Sequence, residues 1–244
     1  MNVLCVIPAR YASTRLPGKP LKDIAGKPMI CRVYERAAKA SRVAAAIVAT
    51  DDSRIYDAVL QHGGKAVMTR KDHPTGTDRL AEVAEKYPDV DLIINVQGDE
   101  PLIEPKLIDE LAAAFDGDAD LQMATGCTEI TDEAEQQNPN NVKVVMDKQG
   151  YALYFSRSLM PYPRHPGTPV YKHIGIYAYK RDFLLAYAKM AETPLEHAES
   201  LEQLRALENG YRIKVIKTPY RFVGVDTAED LAKVNAIYRQ MMQG

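Results

Sequence analysis

Residues 3–20, VLCVIPARYASTRLPGKP, join an apolar run to a polar, cationic loop. The run at residues 3–7 has the length and the composition of a strand that is buried on both faces, as in a parallel sheet. Arg10, Arg15 and Lys19 follow it within ten residues. In open α/β sheets ligands bind at the carboxyl ends of the strands, so this loop is the first candidate for a binding site.

The first half of the chain repeats this alternation of short apolar runs and longer segments with helical periodicity. It predicts strands at residues 3–7, 46–50, 65–69, 92–96, 121–125 and 142–146. It predicts helices at residues 28–40, 53–62, 77–87 and 105–115, each opened by Pro, Ser or Thr. Alternation of this kind is typical of an α/β fold with three α/β/α layers and a mostly parallel central sheet.

The composition changes after the polar turn cluster at residues 138–141. There β-prone segments follow one another directly, and residues 143–146 and 151–156 flank a turn as the strands of a hairpin do. Residues 171–179 alternate between polar and apolar, which predicts a half-buried strand and makes the sheet mixed. The remaining predictions are a proline-rich loop at residues 161–169, helices at residues 195–209 and 227–241, and strands at residues 213–217 and 222–225.

The composition excludes several classes of protein. The 244 residues are 46% hydrophobic and 26% charged, and no stretch has the apolar length of a membrane span. The three cysteines lie far apart, which argues against a disulfide framework and a zinc site and favours a reducing, cytoplasmic location. The start lacks the pattern of an export signal. A net charge of -2 offers no general attraction to nucleic acid or to a membrane surface.

The cationic loop after the first strand has the chemistry of a polyphosphate site. The side chains of Arg10, Arg15 and Lys19 can share the charge of a triphosphate, Ser13 can donate to its oxygens, and Gly18 permits a close approach of the backbone. The loop is not a Walker loop, because Lys19 is followed by proline. The alternative is an exposed basic loop without a ligand.

A carboxylate follows the predicted strand at residues 92–96. Asp99 therefore lies where an apolar strand meets solvent, and Mg²⁺ in proteins prefers one or two carboxylates together with phosphate oxygens. Asp226 follows the predicted strand at residues 222–225 in the same way, and the two carboxylates would complete one metal site. For Asp226 a second interpretation stays open, since Asp226 and Glu229 also have the spacing of a helix cap.

Other polar residues have both a functional and a structural interpretation. Asp51 and Asp52 follow the second strand, and we expect one of them to cap the next helix. Arg79 lies in the first turn of a predicted helix, where a cation opposes the helix dipole unless it faces an anion or a base edge.

The strand at residues 171–179 carries a polar face that suits a sugar. His173 and Tyr177 share this face, and the helical residues Glu199, Glu202 and Gln203 lie on one face of their helix and can line the same pocket. Without a sugar, His173 would be a structural residue, and the three helical residues would form an exposed helix face.

Nine segments of this chain resemble the 3-deoxy-D-manno-octulosonate (Kdo) cytidylyltransferases, also called CMP-Kdo synthetases, over nearly the full length. They are IPARYASTRLPGKPL, VATDD, MTRKDHPTGTDRLAEV, NVQGDEPLI, NPNNVKVV, GYALYFSRS, YKHIGIYAY, LEQLRALENG and GVDTAEDL, in the order of the family. The resemblance implies a homodimeric cytoplasmic enzyme that uses Mg²⁺ and CTP to activate Kdo for lipopolysaccharide assembly. It also implies the nucleotide-diphospho-sugar transferase-like fold, as a single domain over residues 1–244, in which a β-rich subdomain near residues 142–180 contributes sugar binding and dimer contacts.

The resemblance also implies a role for individual residues. The catalytic residues are Lys19, Asp99 and Asp226, of which the two aspartates bind the metal. The nucleotide is bound by Arg10, Ser13, Arg15, Lys19, Thr77 and Arg79. The sugar is bound by Gln97, Arg157, His173, Tyr177, Glu202 and Gln203.

Four alternatives remain open at this point. Asp78 and a short loop between residues 160 and 171 depart from the family pattern, so the acceptor can instead be 8-amino-8-deoxy-Kdo or another sugar acid. The RLPGKPL segment at residues 15–21 is also similar to loops of sugar-1-phosphate nucleotidyltransferases. The remaining two alternatives are a metal-dependent glycosyltransferase and a nucleotide-binding protein without enzymatic activity.

Overall fold

The structure, a computed structural model, describes residues 1–12, 16–165, 167–220 and 223–243. Within these ranges the strands are β1 (Val3–Ala9), β2 (Asp23–Ile24), β3 (Lys27–Pro28), β4 (Ala45–Thr50), β5 (Ala66–Met68), β6 (Leu92–Asn95), β7 (Met123–Ile130), β8 (Lys143–Met146), β9 (Ala152–Ser156), β10 (Val170–Lys180) and β11 (Ile213–Lys217). The α-helices are α1 (Met29–Ala37), α2 (Ser53–Gln61), α3 (Gly76–Lys86), α4 (Pro105–Ala113), α5 (Glu133–Gln137), α6 (Arg181–Tyr187), α7 (Pro194–Glu199), α8 (Gln203–Glu208) and α9 (Ala228–Gln243). A short 3₁₀ turn at Lys19–Leu21 precedes β2.

The chain forms two compact units. The first comprises Met1–Asp109 and Phe222–Gly244, and the second comprises Glu110–Arg221. The single domain over residues 1–244 and the subdomain near residues 142–180 stay predictions.

The first unit is built on four parallel strands in the order β6-β1-β4-β5. Strand β1 is central, with Leu4 opposite Ala45 of β4 and opposite Ile93 of β6. Its residues Val6 and Ile7 are fully buried, as the apolar run predicted. Helices α1, α2 and α3 pack against these strands. Because the strands are parallel, their carboxyl ends lie at one edge, where the polar loops begin.

The second unit contains the antiparallel part of the fold. Strand β7 pairs with β10 in antiparallel and with β11 in parallel orientation. Strands β8 and β9 form the predicted antiparallel hairpin, and β8 also pairs with β10. The α/β class with parallel and antiparallel pairing is thus confirmed.

Two local predictions are wrong. Residues 223–225 are not a strand, because the Val225 N–H donates to the Asp99 carbonyl (2.9 Å) and the Val225 side chain packs in a core cluster with Leu16 and Val234. The helix at residues 195–209 is broken into α7 and α8 at Ser200, which adopts a left-handed conformation (φ 51°). The sequence patterns did not predict α5, α6 or the short strands β2 and β3.

No helix in the described ranges combines the length and the apolar character that crossing a bilayer requires.

Candidate active site

The turn after β6 is pressed against the end of β1, and this contact requires a glycine. A Cβ atom on Gly98 would lie 2.8 Å from the carbonyl oxygen of Pro8, closer than side-chain carbons approach backbone oxygens. The Val96 N–H donates to the Val6 carbonyl (3.1 Å), which continues the parallel pairing into the turn. Gln97 and Asp99 are therefore presented directly at the carboxyl edge of the first unit.

The segment before α9 brings Asp226 to the same place. Its Val225 N–H is bonded to the backbone of Asp99, and a Cβ atom on Gly224 would lie only 3.1 Å from Oε1 of Glu100. The segment thus lies so close to the turn after β6 that the two backbones form a hydrogen bond. Asp226 follows immediately and lies beside Asp99.

The alternative role of Asp226 as a helix cap is wrong. The reciprocal cap at the start of α9 is made by the next residue, because Thr227 Oγ1 accepts from the Asp230 N–H (3.2 Å) and Asp230 Oδ2 accepts from the Thr227 N–H (3.1 Å). The Asp226 N–H also donates to Asp230 Oδ2 (3.2 Å). The helix start is therefore capped without the Asp226 carboxylate.

Lys19 joins the two carboxylates. Its Nζ lies 2.6 Å from Oδ2 of Asp99 and 3.2 Å from Oδ1 of Asp226. Burial lowers the pKa of the Lys19 ammonium, but the charge and hydrogen bond of Asp99, followed by those of Asp226, outweigh burial, so this pKa is raised. Lys19 is thus a cation, and the three predicted catalytic residues form one cluster.

The oxygen atoms of this cluster fit a hard divalent cation. Two carboxylates already converge on one positive charge, and Mg²⁺ takes one or two carboxylates, completing its shell with water and phosphate oxygens. Among the described residues there is no group of three or more His, Cys, Asp or Glu side chains arranged to hold a metal. Asp99 and Asp226 supply two carboxylates, the number that Mg²⁺ takes when phosphate oxygens and water complete its shell.

The loop before α3 is tied to the end of β1. Arg10 Nη2 donates to the carbonyl oxygens of His73 (2.6 Å) and Thr75 (3.1 Å). Thr75 caps α3 in a reciprocal pair with Asp78, and Thr77 is buried in the first turn. Ser13 and Arg15, which were also expected at the triphosphate, lie outside the described residues.

Arg79 faces an anion, as expected, but this anion belongs to the protein. Its side chain is 0% exposed, and its Nη2 lies 3.0 Å from Oδ1 of Asp51. Its Nη1 also donates to Thr69 Oγ1. Burial lowers the pKa of Arg79, and the Asp51 charge acts in the opposite direction. Asp52 caps α2 by accepting from the Arg54 N–H (3.0 Å), so the prediction that one of the two aspartates is a cap is confirmed.

A bulge in β10 brings the predicted sugar-binding residues of that strand together. Ile174 pairs with Gly126, but the next pair is Tyr177 with Thr125, so β10 carries two extra residues. A two-residue shift preserves the alternation of faces, and it shortens the distance along the strand. The rings of His173 and Tyr177 are consequently in contact, with centroids 5.4 Å apart.

His173 is held as a neutral ring. Its Nε2 lies 2.9 Å from Thr125 Oγ1, and that hydroxyl is also 2.7 Å from the Ile176 carbonyl, to which it donates. Because a hydroxyl has one proton, Nε2 must be the donor to Thr125, which leaves Nδ1 as an acceptor. Burial lowers the pKa of His173 from 6.5 to about 3.

The half-buried, neutral His173 predicts a pH dependence of stability. The unfolded chain takes up a proton below the ordinary pKa of 6.5, whereas the folded chain does so only near 3, so stability falls as the pH decreases between these values. We expect the unfolding free energy of the wild type to drop by about 2 kcal/mol more than that of His173→Gln between about pH 7.5 and about pH 5. Urea titrations measure this difference, with the exposed His197→Gln as the control that should follow the wild type. Equal losses in the wild type and His173→Gln would contradict a neutral His173.

The helix break at Ser200 directs Gln203 toward Tyr177. The Tyr177 hydroxyl donates to Gln203 Oε1 (3.2 Å), and the Tyr187 hydroxyl donates to the Glu202 carbonyl (2.5 Å). Burial and then the Glu202 charge raise the pKa of Tyr177 well above its ordinary value. The Gln203 Nε2 atom is buried and has no hydrogen-bond partner in the described part of the chain. The Tyr177 hydroxyl therefore stays protonated and bonded to Gln203, and the Gln203 Nε2 remains a buried donor without a partner among the described residues.

Arg157 supports the same helix break. Its guanidinium donates to the carbonyl oxygens of Glu199 (2.8 Å), Pro139 (3.2 Å) and Ser200 (3.4 Å). The Glu199 carboxylate in turn accepts from the Ser156 hydroxyl (2.5 Å) and from the Arg157 N–H (2.9 Å). Glu199, which was expected to line the pocket, thus holds the structure around it.

The sequence patterns did not predict that Lys143 is buried. This side chain is fully buried, and its Nζ donates to the carbonyl oxygens of Asn138 (3.1 Å) and Arg157 (2.5 Å). Its only signal in the sequence is a lysine at the start of an apolar strand, which is also common at exposed strand ends. Burial lowers the pKa of Lys143.

The fold and the lysine–carboxylate cluster define a nucleotide-binding α/β protein, and the comparisons give its class. Residues 4–215 match the cytidylyltransferase family. The chain is 58% identical to the 3-deoxy-manno-octulosonate cytidylyltransferase of Fusobacterium nucleatum subsp. nucleatum, over 96% of each protein. It is 54% identical to the protein of the same name from Geobacter metallireducens, again over 96% of each.

A solved structure agrees with this class. A CMP:2-keto-3-deoxy-manno-octonic acid synthetase complexed with CTP superimposes with a TM-score of 0.95 and 49% identity, over 99% of this chain and 100% of that chain. The nucleotide-diphospho-sugar transferase-like fold is thereby confirmed. The chain belongs to the family of 3-deoxy-manno-octulosonate cytidylyltransferases.

Proposed function

We propose that this protein transfers the CMP group of CTP to Kdo and releases pyrophosphate. The observation that carries the proposal is the convergence of Lys19, Asp99 and Asp226 at the carboxyl edge of the first unit, with Nζ 2.6 Å and 3.2 Å from the two carboxylates. This cluster lies in a chain that is 58% identical to a named Kdo cytidylyltransferase. A lysine and two carboxylates suit a metal-assisted transfer between polyanions, in which charge must be neutralised.

Asp99 and Asp226 are the residues that would hold Mg²⁺. When bound there, the ion supplies positive charge at the α-phosphate and lowers the pKa of the attacking hydroxyl. Lys19, Arg10, Ser13 and Arg15 are proposed to hold the triphosphate.

Arg79 and Thr77 are proposed to serve the nucleotide from the start of α3. Arg79 pairs with Asp51 and donates to Thr69, while its Nε is a buried donor without a hydrogen-bond partner among the described residues. Its proposed role is to fix the position of the start of α3 relative to the end of β4 through the ion pair with Asp51.

The sugar is proposed to bind to residues of the second unit, namely Arg157, His173, Tyr177, Glu202 and Gln203. The assignment of Gln97 to the sugar stays a prediction of the family resemblance. Neutral His173 offers an acceptor at Nδ1, and Gln203 offers a buried donor at Nε2. A hydroxyl-rich ligand satisfies such groups, whereas a phosphate acceptor would call for cations. This chemistry favours a sugar acid over a sugar 1-phosphate.

The chemical step is an in-line displacement. The anomeric hydroxyl of the sugar acid attacks the α-phosphorus of CTP, the bond to the bridging oxygen breaks, and pyrophosphate leaves from the opposite side. The side chains position and neutralise the reactants, so the step needs no covalent enzyme intermediate.

Pyrophosphate release from each of the four NTPs, with Mg²⁺ and Kdo, tests the proposal. Of the four NTPs, we expect only CTP to release pyrophosphate. Release with a sugar 1-phosphate but not with Kdo, or binding of CTP without release, would refute it in favour of one of the rival classes. A parallel reaction with 8-amino-8-deoxy-Kdo measures kcat/KM for the other acceptor, and a higher value there would reassign the sugar.

We also propose that the enzyme acts in the cytoplasm as a homodimer and supplies lipopolysaccharide assembly. The family resemblance supports all three statements. Strand β9 supports a dimer contact near residues 142–180, because it pairs with β8 and carries Leu153, which is 63% exposed. Light scattering should then give twice the 27.2 kDa of one chain.

A further inference from the structure

We propose that the Lys19 side chain occupies the place of the divalent cation until a triphosphate arrives, so that Lys19 couples metal binding to nucleotide binding. In the free protein the ammonium forms ion pairs with both Asp99 and Asp226. When CTP binds, its phosphates attract the ammonium and the two carboxylates become available to the metal. This inference rests on the proposed function, since it assumes that both ligands share the cluster.

The distances make the ammonium and a metal mutually exclusive. Nζ is bonded to one oxygen of each carboxylate, at 2.6 Å and 3.2 Å. A magnesium ion bound by the same two oxygens would lie roughly 2.1 Å from each, in the volume that Nζ fills. The two cations cannot occupy that volume together. Metal binding through both oxygens therefore requires Lys19 to move.

The charges give the exchange a direction. One ammonium and two carboxylates leave the cluster with a single negative charge. Adding a divalent cation while the ammonium stays nearby would make the cluster positive and would place like charges close together. A triphosphate supplies the negative charge that accommodates both cations. Metal and nucleotide should therefore bind with positive cooperativity.

The backbone around Lys19 allows the side chain to move alone. The Lys19 N–H donates to the Leu16 carbonyl (3.1 Å), and the Lys19 carbonyl accepts from the Lys22 N–H (3.1 Å). Gly18, in a left-handed conformation (φ 66°), packs against the Tyr11 ring and fixes the entry to this turn. The Lys19 side chain is 15% exposed, and those of Asp99 and Asp226 are 35% and 45% exposed, so solvent, and with it an ion or a phosphate, reaches the two carboxylates.

Binding of Mn²⁺, measured by electron paramagnetic resonance without Kdo, tests the proposal. We expect Lys19→Met to bind Mn²⁺ roughly tenfold more tightly than the wild type in the absence of nucleotide. Addition of CTP should tighten Mn²⁺ binding in the wild type and should do so much less in Lys19→Met. Lys39→Gln, which removes an exposed lysine after α1, is the control that should match the wild type.

Each outcome decides the question. Unchanged or weaker Mn²⁺ affinity in nucleotide-free Lys19→Met would overturn the proposal. Tight Mn²⁺ binding that persists in Lys19→Met combined with Asp99→Asn would also overturn it, because the ion would then bind elsewhere. Failure of the proposed function is distinguishable, since it would appear as absent pyrophosphate release by the wild type with CTP and Kdo, whatever the Mn²⁺ result.

Discussion

Asp99→Asn is expected to lower kcat for pyrophosphate release by roughly 10³-fold or more, with little effect on the fold. The substitution keeps the size of the side chain and removes the charge that faces Lys19 at 2.6 Å. The proposed site would then lose one of its two metal ligands, and charge that develops at the α-phosphate would lose its counter-ion. Circular dichroism and a urea titration should show a folded protein.

Two comparisons make this expectation specific. Asp226→Asn should cause a loss of similar order, because its carboxylate contacts the same ammonium. Asp57→Asn changes an exposed aspartate of α2 and should retain wild-type turnover. An Asp99→Asn protein with more than a tenth of the wild-type kcat would remove Asp99 from the proposed metal site.

Replacing the buried Arg79 with methionine is expected to lower the unfolding free energy by roughly 3 kcal/mol. The substitution leaves the Asp51 carboxylate, whose side chain is 22% exposed, without its cation, and it removes the hydrogen bond to Thr69. Breaking a buried ion pair on one side is costly because the remaining charge is desolvated and unpaired. Urea denaturation followed by circular dichroism measures the loss.

The chain offers a matched control for this pair. Arg54 and Asp52 form the neighbouring pair after the same strand, at 2.6 Å, but the Arg54 side chain is 56% exposed. Arg54→Met should therefore lower the unfolding free energy much less than Arg79→Met does, because solvent screens an exposed pair. Combining Arg79→Met with Asp51→Asn should recover part of the loss. Equal losses of unfolding free energy in Arg79→Met and Arg54→Met would show that burial does not strengthen the pair of Arg79 with Asp51.

The elements that the sequence predicted well are those with a strong local signal. The run at residues 3–7 is apolar on both faces, and β1 is buried on both faces. The hairpin of β8 and β9 follows from two β-prone runs around a turn. In contrast, the run at residues 222–225 has the composition of a strand, but in its described part, residues 223–225, the Val225 N–H donates to the turn after β6 instead of to a sheet. Local composition does not contain that choice of partner.

The sugar-binding side of the prediction shows the same division. Alternation along residues 171–179 places His173 and Tyr177 on one face, and that is a local property. Their ring contact depends on the two extra residues of β10 opposite Thr125, which no residue pattern announces. The orientation of Gln203 likewise depends on Ser200, a non-glycine residue in the left-handed region at a site where the sequence predicts a continuous helix.

The sequence alone determined the α/β class, the cationic loop after β1 and the presence of a carboxylate beyond each of two apolar runs. These features depend on side-chain polarity and spacing over a few residues. Only the tertiary structure decided that Lys19 meets Asp99, 80 residues away, and Asp226, 207 residues away. That meeting results from a backbone hydrogen bond between Val225 and Asp99 and from the close approach at Gly98. Contacts of this kind depend on how distant segments pack. Local patterns could therefore indicate the three residues as candidates, but they could not predict that the residues contact one another.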